Sequence, residues 1–295
     1  MKNSSMMNYL NFIRYINANK DRLINEFKKS KELHLLLNAE KIKTFFQPIL
    51  SLEEGCTYGF EILNRPQSTE LFPTTEKFYD FIGGSSDVFS IEQFFRNLSL
   101  ERYSEQVNKT RGHRNKLVFL NIQPQVLADP AYKSGKTLEI LGKYNLSPDQ
   151  IVLELTEKEA VTDYKQFEKI ISHYRKQGFR IAVDDAGTGY NSLKTLLYLK
   201  PEFIKIDKSL IRNITANPTQ QYLVELLLDF AVQSETKVIA EGIETLAELM
   251  FLQDLGVHFG QGYALGKPLQ ELKNGILPIL KPVSTRNLNR VVNGK

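Results

Sequence analysis

From residue 116 onward the sequence alternates between short apolar runs and segments of helical period. The runs are KLVFLNI (116–122), QIVLELTE (150–157), RIAVDDAG (180–187), FIKID (203–207), KVIAEGI (237–243) and a weaker HFGQGYA (258–264). As strands they are too uniformly apolar to have a wet face. Between them lie amphipathic stretches such as DYKQFEKIISHYRKQG and ETLAELMFLQDLG, closed by Gly178 and Gly256 in the position of a C-terminal cap. Strands buried on both faces and joined by helices make a parallel sheet covered by those helices. Upstream, TFFQPILSL and GCTYGFEIL flank the turn-like EEG and read as a hairpin, which sets one early strand against the others. About eight strands over roughly 230 residues suit a closed α/β barrel of the TIM (β/α)8 kind, with a doubly wound open sheet as the runner-up.

Residues 8–42 carry apolar side chains at helical spacing, among them Leu23, Ile24, Phe27, Leu33, Leu35, Leu36 and Leu37, with no Gly or Pro between them. They read as one or two helices packing on the main domain, or alternatively as a face for dimerisation or a protein partner. The resulting division is an N-terminal helical extension over 1–43, a barrel over 44–275 and a basic C-terminal tail over 276–295. Neither flank has room for a second catalytic domain, so control is expected from expression, oligomerisation or a partner.

Composition narrows the class. Hydrophobic residues at 42% and charged residues at 24% are globular values that exclude a disordered or collagenous chain. Cys56 is the single cysteine, which excludes an internal disulfide and a cysteine zinc site. No apolar run is long enough for a signal-peptide core or a membrane span, and a cytoplasmic location is expected. The net charge of +4 lacks the dense basic stripe of a DNA binder but leaves room for an anionic small molecule.

In either parallel architecture, ligands bind beyond the C-terminal ends of the strands. There the sequence places Glu61 after YGF, Asn121 after LVFL, Glu154 after IVL, Asp184 and Asp185 after IAV, Lys205 after FI, Glu241 after VIA, and Gln261 after HFG. Two carboxylates about 4 Å apart repel by roughly 4 kcal/mol at an effective dielectric near 20. One lysine does not offset five acids, so a divalent cation is expected among them, and two are more economical. Oxygen donors without His or Cys favour Mg²⁺ or Mn²⁺, with Ca²⁺ an alternative, over zinc. Adjacent Asp184 and Asp185 suit one carboxylate shared between two ions. A lone acid at a strand end is ordinarily a helix cap or a surface ion pair; the repetition across separate strands is what points to a site. A Schiff-base role for Lys205 fits poorly, because neighbouring carboxylates raise a lysine pKa.

The segments FFQPIL, FEILNRP, FLNIQP, LELTE, VDDAGTGYNSL, FIKIDKSLI, IAEGIET and GQGYALGKPL follow one another between Thr44 and Leu269. In that order they resemble the motif series of EAL-type cyclic di-GMP phosphodiesterases. The resemblance implies a modified TIM barrel with one antiparallel strand. It also implies hydrolysis of one phosphodiester of the bacterial second messenger cyclic di-GMP to linear pGpG, by a water activated between two Mg²⁺ or Mn²⁺ ions. Carried over by motif, Glu61, Asn121, Glu154 and Asp184 are metal ligands, and Asp184 bridges to a second ion that Asp185 also holds. Glu241 completes that second site or serves as base, Lys205 positions the water, and Glu241, Lys205 and Glu61 form the catalytic set. Gln47, Leu63, Arg65 and Gln261 fall on substrate-binding positions, with Gln47 and Arg65 on those that hold guanine and phosphate and Gln261 supporting the site. Glu157 matches a residue that anchors the loop AGTGYNSL. A homodimer through the barrel is expected on the same ground.

Three positions depart from the family pattern: Ile62 stands for alanine, Ala186 for phenylalanine, and IQP follows Asn121 in place of LSP. Ile62 is expected to point away from the metals, by strand alternation. These changes touch loop dynamics and rate, and no ligand position is lost. The alternative reading is a non-catalytic cyclic di-GMP receptor or protein-interaction module, which the complete acid set disfavours.

Overall fold

A computed structural model describes residues 11, 14–109, 111–127, 132–156, 164–187 and 192–278. Its strands close into a barrel in sequence order: β1 (Ile42–Ser51), β2 (Thr57–Pro66), β3 (Leu117–Asn121), β4 (Ile151–Thr156), β5 (Arg180–Ala186), β6 (Phe203–Ile206), β7 (Lys237–Ala240) and β8 (Phe259–Gly260). Strand β1 runs antiparallel to both β2 and β8, and every other neighbouring pair is parallel. The hairpin read from the sequence is therefore the antiparallel element, and the β1–β8 pairing rules out an open sheet.

Helices cover the outside. Helix α1 (Lys20–Leu36) precedes β1, and α2 (Thr75–Gly83) and α3 (Val88–Lys109) follow β2. Then come α4 (Lys136–Lys143) after β3, α5 (Tyr164–Lys176) after β4, and α6 (Ser192–Leu199) after β5. A short α7 (Lys208–Ile211) and α8 (Pro218–Gln233) follow β6, and α9 (Leu246–Leu255) follows β7. The helix ends have local causes. Thr245 and Glu248 form a reciprocal capping box at the start of α9, and Gly256 ends it in the left-handed region at φ 87°. Among the described residues no helix is long and apolar enough to cross a membrane.

The apolar strands serve two cores. Outward residues such as Phe60, Val118, Leu153, Ile181, Ile204 and Val238 pack beneath the helices. Inward residues Ile49, Phe119, Val152, Ala182, Phe203, Ile239 and Phe259 fill the barrel from below. This two-sided burial is why the strands show no polar alternation along most of their length.

Two expectations are modified. In α1 only Leu33 and Leu36 are buried, against a cluster with Ile42, Phe72 and Phe78, while Ile24, Phe27 and Leu35 stay exposed. The helix thus meets the domain through its last turns. The run 258–264 shortens to the two residues of β8 because the chain turns at Gly262 against Ile243, where a Cβ would lie 2.1 Å from the Ile243 carbonyl oxygen. The expectations for the first ten residues and for the tail beyond residue 278 lie outside the described residues.

Candidate active site

On strand after strand the uppermost inward apolar residue of the barrel floor is followed, two positions toward the C-terminal rim, by a polar one. Phe119 leads to Asn121, Val152 to Glu154, Ala182 to Asp184, Phe203 to Lys205, Ile239 to Glu241 and Phe259 to Gln261. In antiparallel β1 the step is reversed, from Ile49 back to Gln47, which pairs in register with Glu61 of β2. Side chains of a strand alternate between faces, so a residue two positions above an inward apolar one also points inward. One polar layer sits directly on the apolar floor. Ile62, on the opposite parity from Glu61, packs into the outer core, as the alternation requires.

Asp185 breaks this rule, since a regular strand would send it away from Asp184. The β5–β6 register shifts between Val183 and Ala186, and Asp185 takes a left-handed backbone at φ 57°. The irregularity turns the second carboxylate back, so that one oxygen each from Asp184, Asp185 and Glu241 lies within 4.8 Å of the others. Gly242, immediately after Glu241, is also left-handed at φ 68°, and a Cβ there would fall 2.4 Å from Lys208 Cβ. The backbone beyond β7 can therefore pass close to the start of α7.

Lys205 is the hub of the layer. It is 1% exposed, and its Nζ lies 2.7 Å from Glu241 Oε1, 2.8 Å from Glu154 Oε1, 3.4 Å from Asp184 Oδ1 and 3.6 Å from Glu61 Oε2. Gln261 Nε2 donates to Glu61 Oε2 at 2.7 Å, and Asn121 Nδ2 donates to Glu61 Oε1 at 3.4 Å. Burial alone would pull the lysine pKa down, but Asp184, Glu154, Glu241 and Glu61 together hold it well above its ordinary value. It stays an ammonium. Burial pushes the Glu154 carboxyl well above the carboxylate range, with Glu61 and Asp184 adding to the effect against the pull of Lys205. Asp184 is raised by burial in the same way, and Glu241 is pushed up to about 8, first by burial and then by Asp184 and Glu61.

The donor set fits divalent cations. Five carboxylates share the layer with one ammonium, which reaches four of them, all donors are oxygens, and Glu154 is 1% exposed with Lys205 as its ion-pair partner. Several buried carboxylates sharing one ammonium are costly without a further cation to coordinate.

A cleft of about 500 Å³ opens beside this layer and is lined by Leu63, Arg65, Tyr79, Phe95, Asn121 and Asp185, among others. Leu63 and Arg65, named from the sequence, are there, with the Arg65 guanidinium 4.7 Å from the centre of the Phe45 ring. Gln47 is nearly buried and donates to the Gly266 carbonyl at 3.3 Å. Glu157 lies outside the described residues. Sequence reading passed over Glu92 and Arg96, which also line the cleft as a buried pair at 3.2 Å. The signal was available, as two opposite charges four apart in the otherwise uncharged run VFSIEQFFRNLSL of α3.

Comparison with known proteins agrees with this geometry. Residues 30–268 match the model of the EAL domain. The probable cyclic di-GMP phosphodiesterase PdeB of Escherichia coli is 33% identical over 228 residues, which cover 76% of this chain. The chain spans only 42% of that relative's length. The EAL enzyme Bd1971, solved with cAMP and cyclic di-GMP bound, superposes with a TM-score of 0.75 at 27% identity, over 90% of this chain and 72% of its own. BlrP1 of Klebsiella pneumoniae, solved as a manganese and cyclic di-GMP complex, gives a TM-score of 0.71 at 26% identity, over 81% of this chain and 59% of its own. With its barrel, its ordered motifs and most of its length accounted for in this way, the chain belongs to the EAL domain family.

Proposed function

We propose that this domain hydrolyses cyclic di-GMP to linear pGpG with two divalent cations, Mg²⁺ or Mn²⁺. The observation that carries the reading is the layer of five carboxylates in which one buried ammonium meets only four, while Asp184, Asp185 and Glu241 bring an oxygen each within 4.8 Å of one another. Glu61, Asn121, Glu154 and Asp184 would hold one ion; Asp184, Asp185 and Glu241 would hold the other. Bound there, the ions would lower the pKa of a water toward neutrality and offset charge developing on the phosphoryl oxygens.

The chain's own groups divide the remaining work. Lys205, kept protonated by its four acids, cannot serve as a base and instead donates hydrogen bonds that orient the attacking water. Glu241, 2.7 Å from Lys205, is placed to take the proton that the water gives up. The water adds to phosphorus as the ribose 3′ oxygen leaves, and that oxygen gains a proton, so one phosphodiester opens to a 5′ phosphate and a 3′ hydroxyl. Gln261 fixes Glu61 from the far side of the barrel seam. Arg65 and Leu63 in the cleft, with Gln47 on β1, would receive the phosphate and base of the substrate. Manganese and cyclic di-GMP are the ligands of the BlrP1 complex, which supports this choice of ion and nucleotide.

The test is chromatography of products after incubating purified protein with cyclic di-GMP and Mn²⁺ or Mg²⁺. We expect pGpG, none with a chelator, and none from Glu61→Ala. Intact nucleotide in the presence of metal refutes the reading, and bound but uncleaved nucleotide would make the domain a receptor.

A further inference from the structure

The segment that leaves β3 carries Asn121 into the polar layer and then forms a wall of the cleft through Ile122 and Gln123. Its first anchor is ordinary strand pairing: the Ile122 N–H donates to the Glu154 carbonyl at 3.0 Å. Beyond that point the β3–β4 ladder ends, and the next backbone donor has no strand to meet. It is met instead by a side chain from α3, because the Gln123 N–H donates to Glu92 Oε1 at 3.3 Å.

Glu92 is itself held from behind. Its other oxygen accepts from Arg96 Nη2 at 3.2 Å, and the two side chains are 9% and 3% exposed. Arg96 Nη1 in turn donates to Thr137 Oγ1 of α4 at 2.6 Å, and the guanidinium also meets Tyr174 of α5. A buried ion pair is weak evidence of stabilisation, since well-packed apolar residues of similar volume often do as well. Here the pair ends on a backbone amide two residues from Asn121. Three helices converge on Arg96, Arg96 orients Glu92, and Glu92 fixes the exit of β3.

We propose that Glu92 is a positioning residue of the site: its carboxylate takes over from the strand ladder, holds the backbone at Gln123, and so sets where Asn121 presents its amide. The inference rests on the metal-dependent reading above, and a direct metal titration separates the two. If the wild type binds no Mn²⁺, that reading fails; if it binds Mn²⁺ and the Glu92 variants bind it equally, only the positioning role fails.

Two single substitutions give a crossed test. Glu92→Gln removes the charge but keeps an acceptor oxygen at the same reach; Glu92→Asp keeps the charge and withdraws the oxygen by one methylene. Groups that orient metal ligands typically contribute about 10- to 100-fold in metal affinity or activity. We therefore expect Glu92→Asp to lose about that much in calorimetric Mn²⁺ affinity and in kcat, to leave KM nearly unchanged, and to expose the Gln123 amide to hydrogen exchange. Glu92→Gln, which turns an amide toward Arg96 and leaves that buried guanidinium without its counter-charge, should lose stability but keep Mn²⁺ affinity within about threefold of wild type. The reverse order, or two variants that both match wild type, overturns the proposal. Should either single variant fail to fold, the double variant Glu92→Leu with Arg96→Met removes both charges at similar volume. Weakened Mn²⁺ binding by that folded double variant supports the positioning role, and wild-type binding overturns it.

Discussion

Removing metal should make stability fall as pH rises, and Glu241 gives the size of the effect. In the folded, metal-free protein its carboxyl is pushed from the ordinary 4.5 to about 8. Between those values the folded form keeps a proton that the unfolded chain has released, so raising the pH favours unfolding. The loss begins above about pH 4.5 and is complete above about pH 8. At about 1.4 kcal/mol per pH unit for one proton, Glu241 alone accounts for on the order of 4 to 5 kcal/mol, a large part of a typical domain's stability. Glu154 and Asp184 are raised as well and act in the same direction. The assay is urea unfolding in chelator at pH 5, 6, 7 and 8, for wild type and Glu241→Gln. The amide does not titrate, so the variant should lose distinctly less stability across the window. Wild-type stability that is flat or rising from pH 5 to 8, or a variant with the same slope, would refute the electrostatic account of the layer.

Added Mn²⁺ should reverse that loss: at 100 times its dissociation constant it should stabilise the protein by about 2.7 kcal/mol at pH 8 and by much less at pH 5, where the acids hold protons; equal shifts at both pH values in thermal unfolding would count against binding at this layer. Lys205→Met leaves four acids without their shared cation and should destabilise the metal-free protein at pH 8 by roughly 3–5 kcal/mol, as read by urea unfolding. Gly242→Ala combines a left-handed backbone with a Cβ 2.4 Å from Lys208 Cβ and should cost about 1–3 kcal/mol; an unchanged unfolding midpoint would show that the turn relaxes freely.

How much was legible in the sequence depends on whether a feature is written in strand periodicity. Glu61, Glu154, Asp184, Lys205 and Glu241 end runs of inward and outward apolar residues, so their strands, their face and their convergence follow from the alternation. Asp185 was legible as a neighbour but not as a geometry, because its orientation depends on a register shift and a left-handed backbone that no local pattern announces. The end of β8 was misread for a similar reason: Gly262 turns where the chain meets Ile243, a contact across 19 positions of sequence. In α1, helical period implied a buried face, yet burial needs a partner surface, and only Leu33 and Leu36 reach one. Glu92 and Arg96 were passed over because a charge pair four apart on a helix usually faces solvent.

The antiparallel first strand also decides when the barrel can close. Strand β1 meets β2 through a short hairpin as soon as both exist, but its other edge waits for Phe259 and Gly260, which pair with Ser51 and Leu50, and for Leu269, which bridges to Phe46. A chain emerging from the ribosome thus holds every carboxylate of the layer before it has a seam, with the β1 and β7 edges open. The segment around β8 supplies both the closing strand and Gln261, whose amide reaches back across 200 positions to Glu61. Without the segment from Phe259 to Gln261 the remaining strands would be an open sheet with a crowd of acids along one rim, so closing the seam and completing the polar layer are a single event.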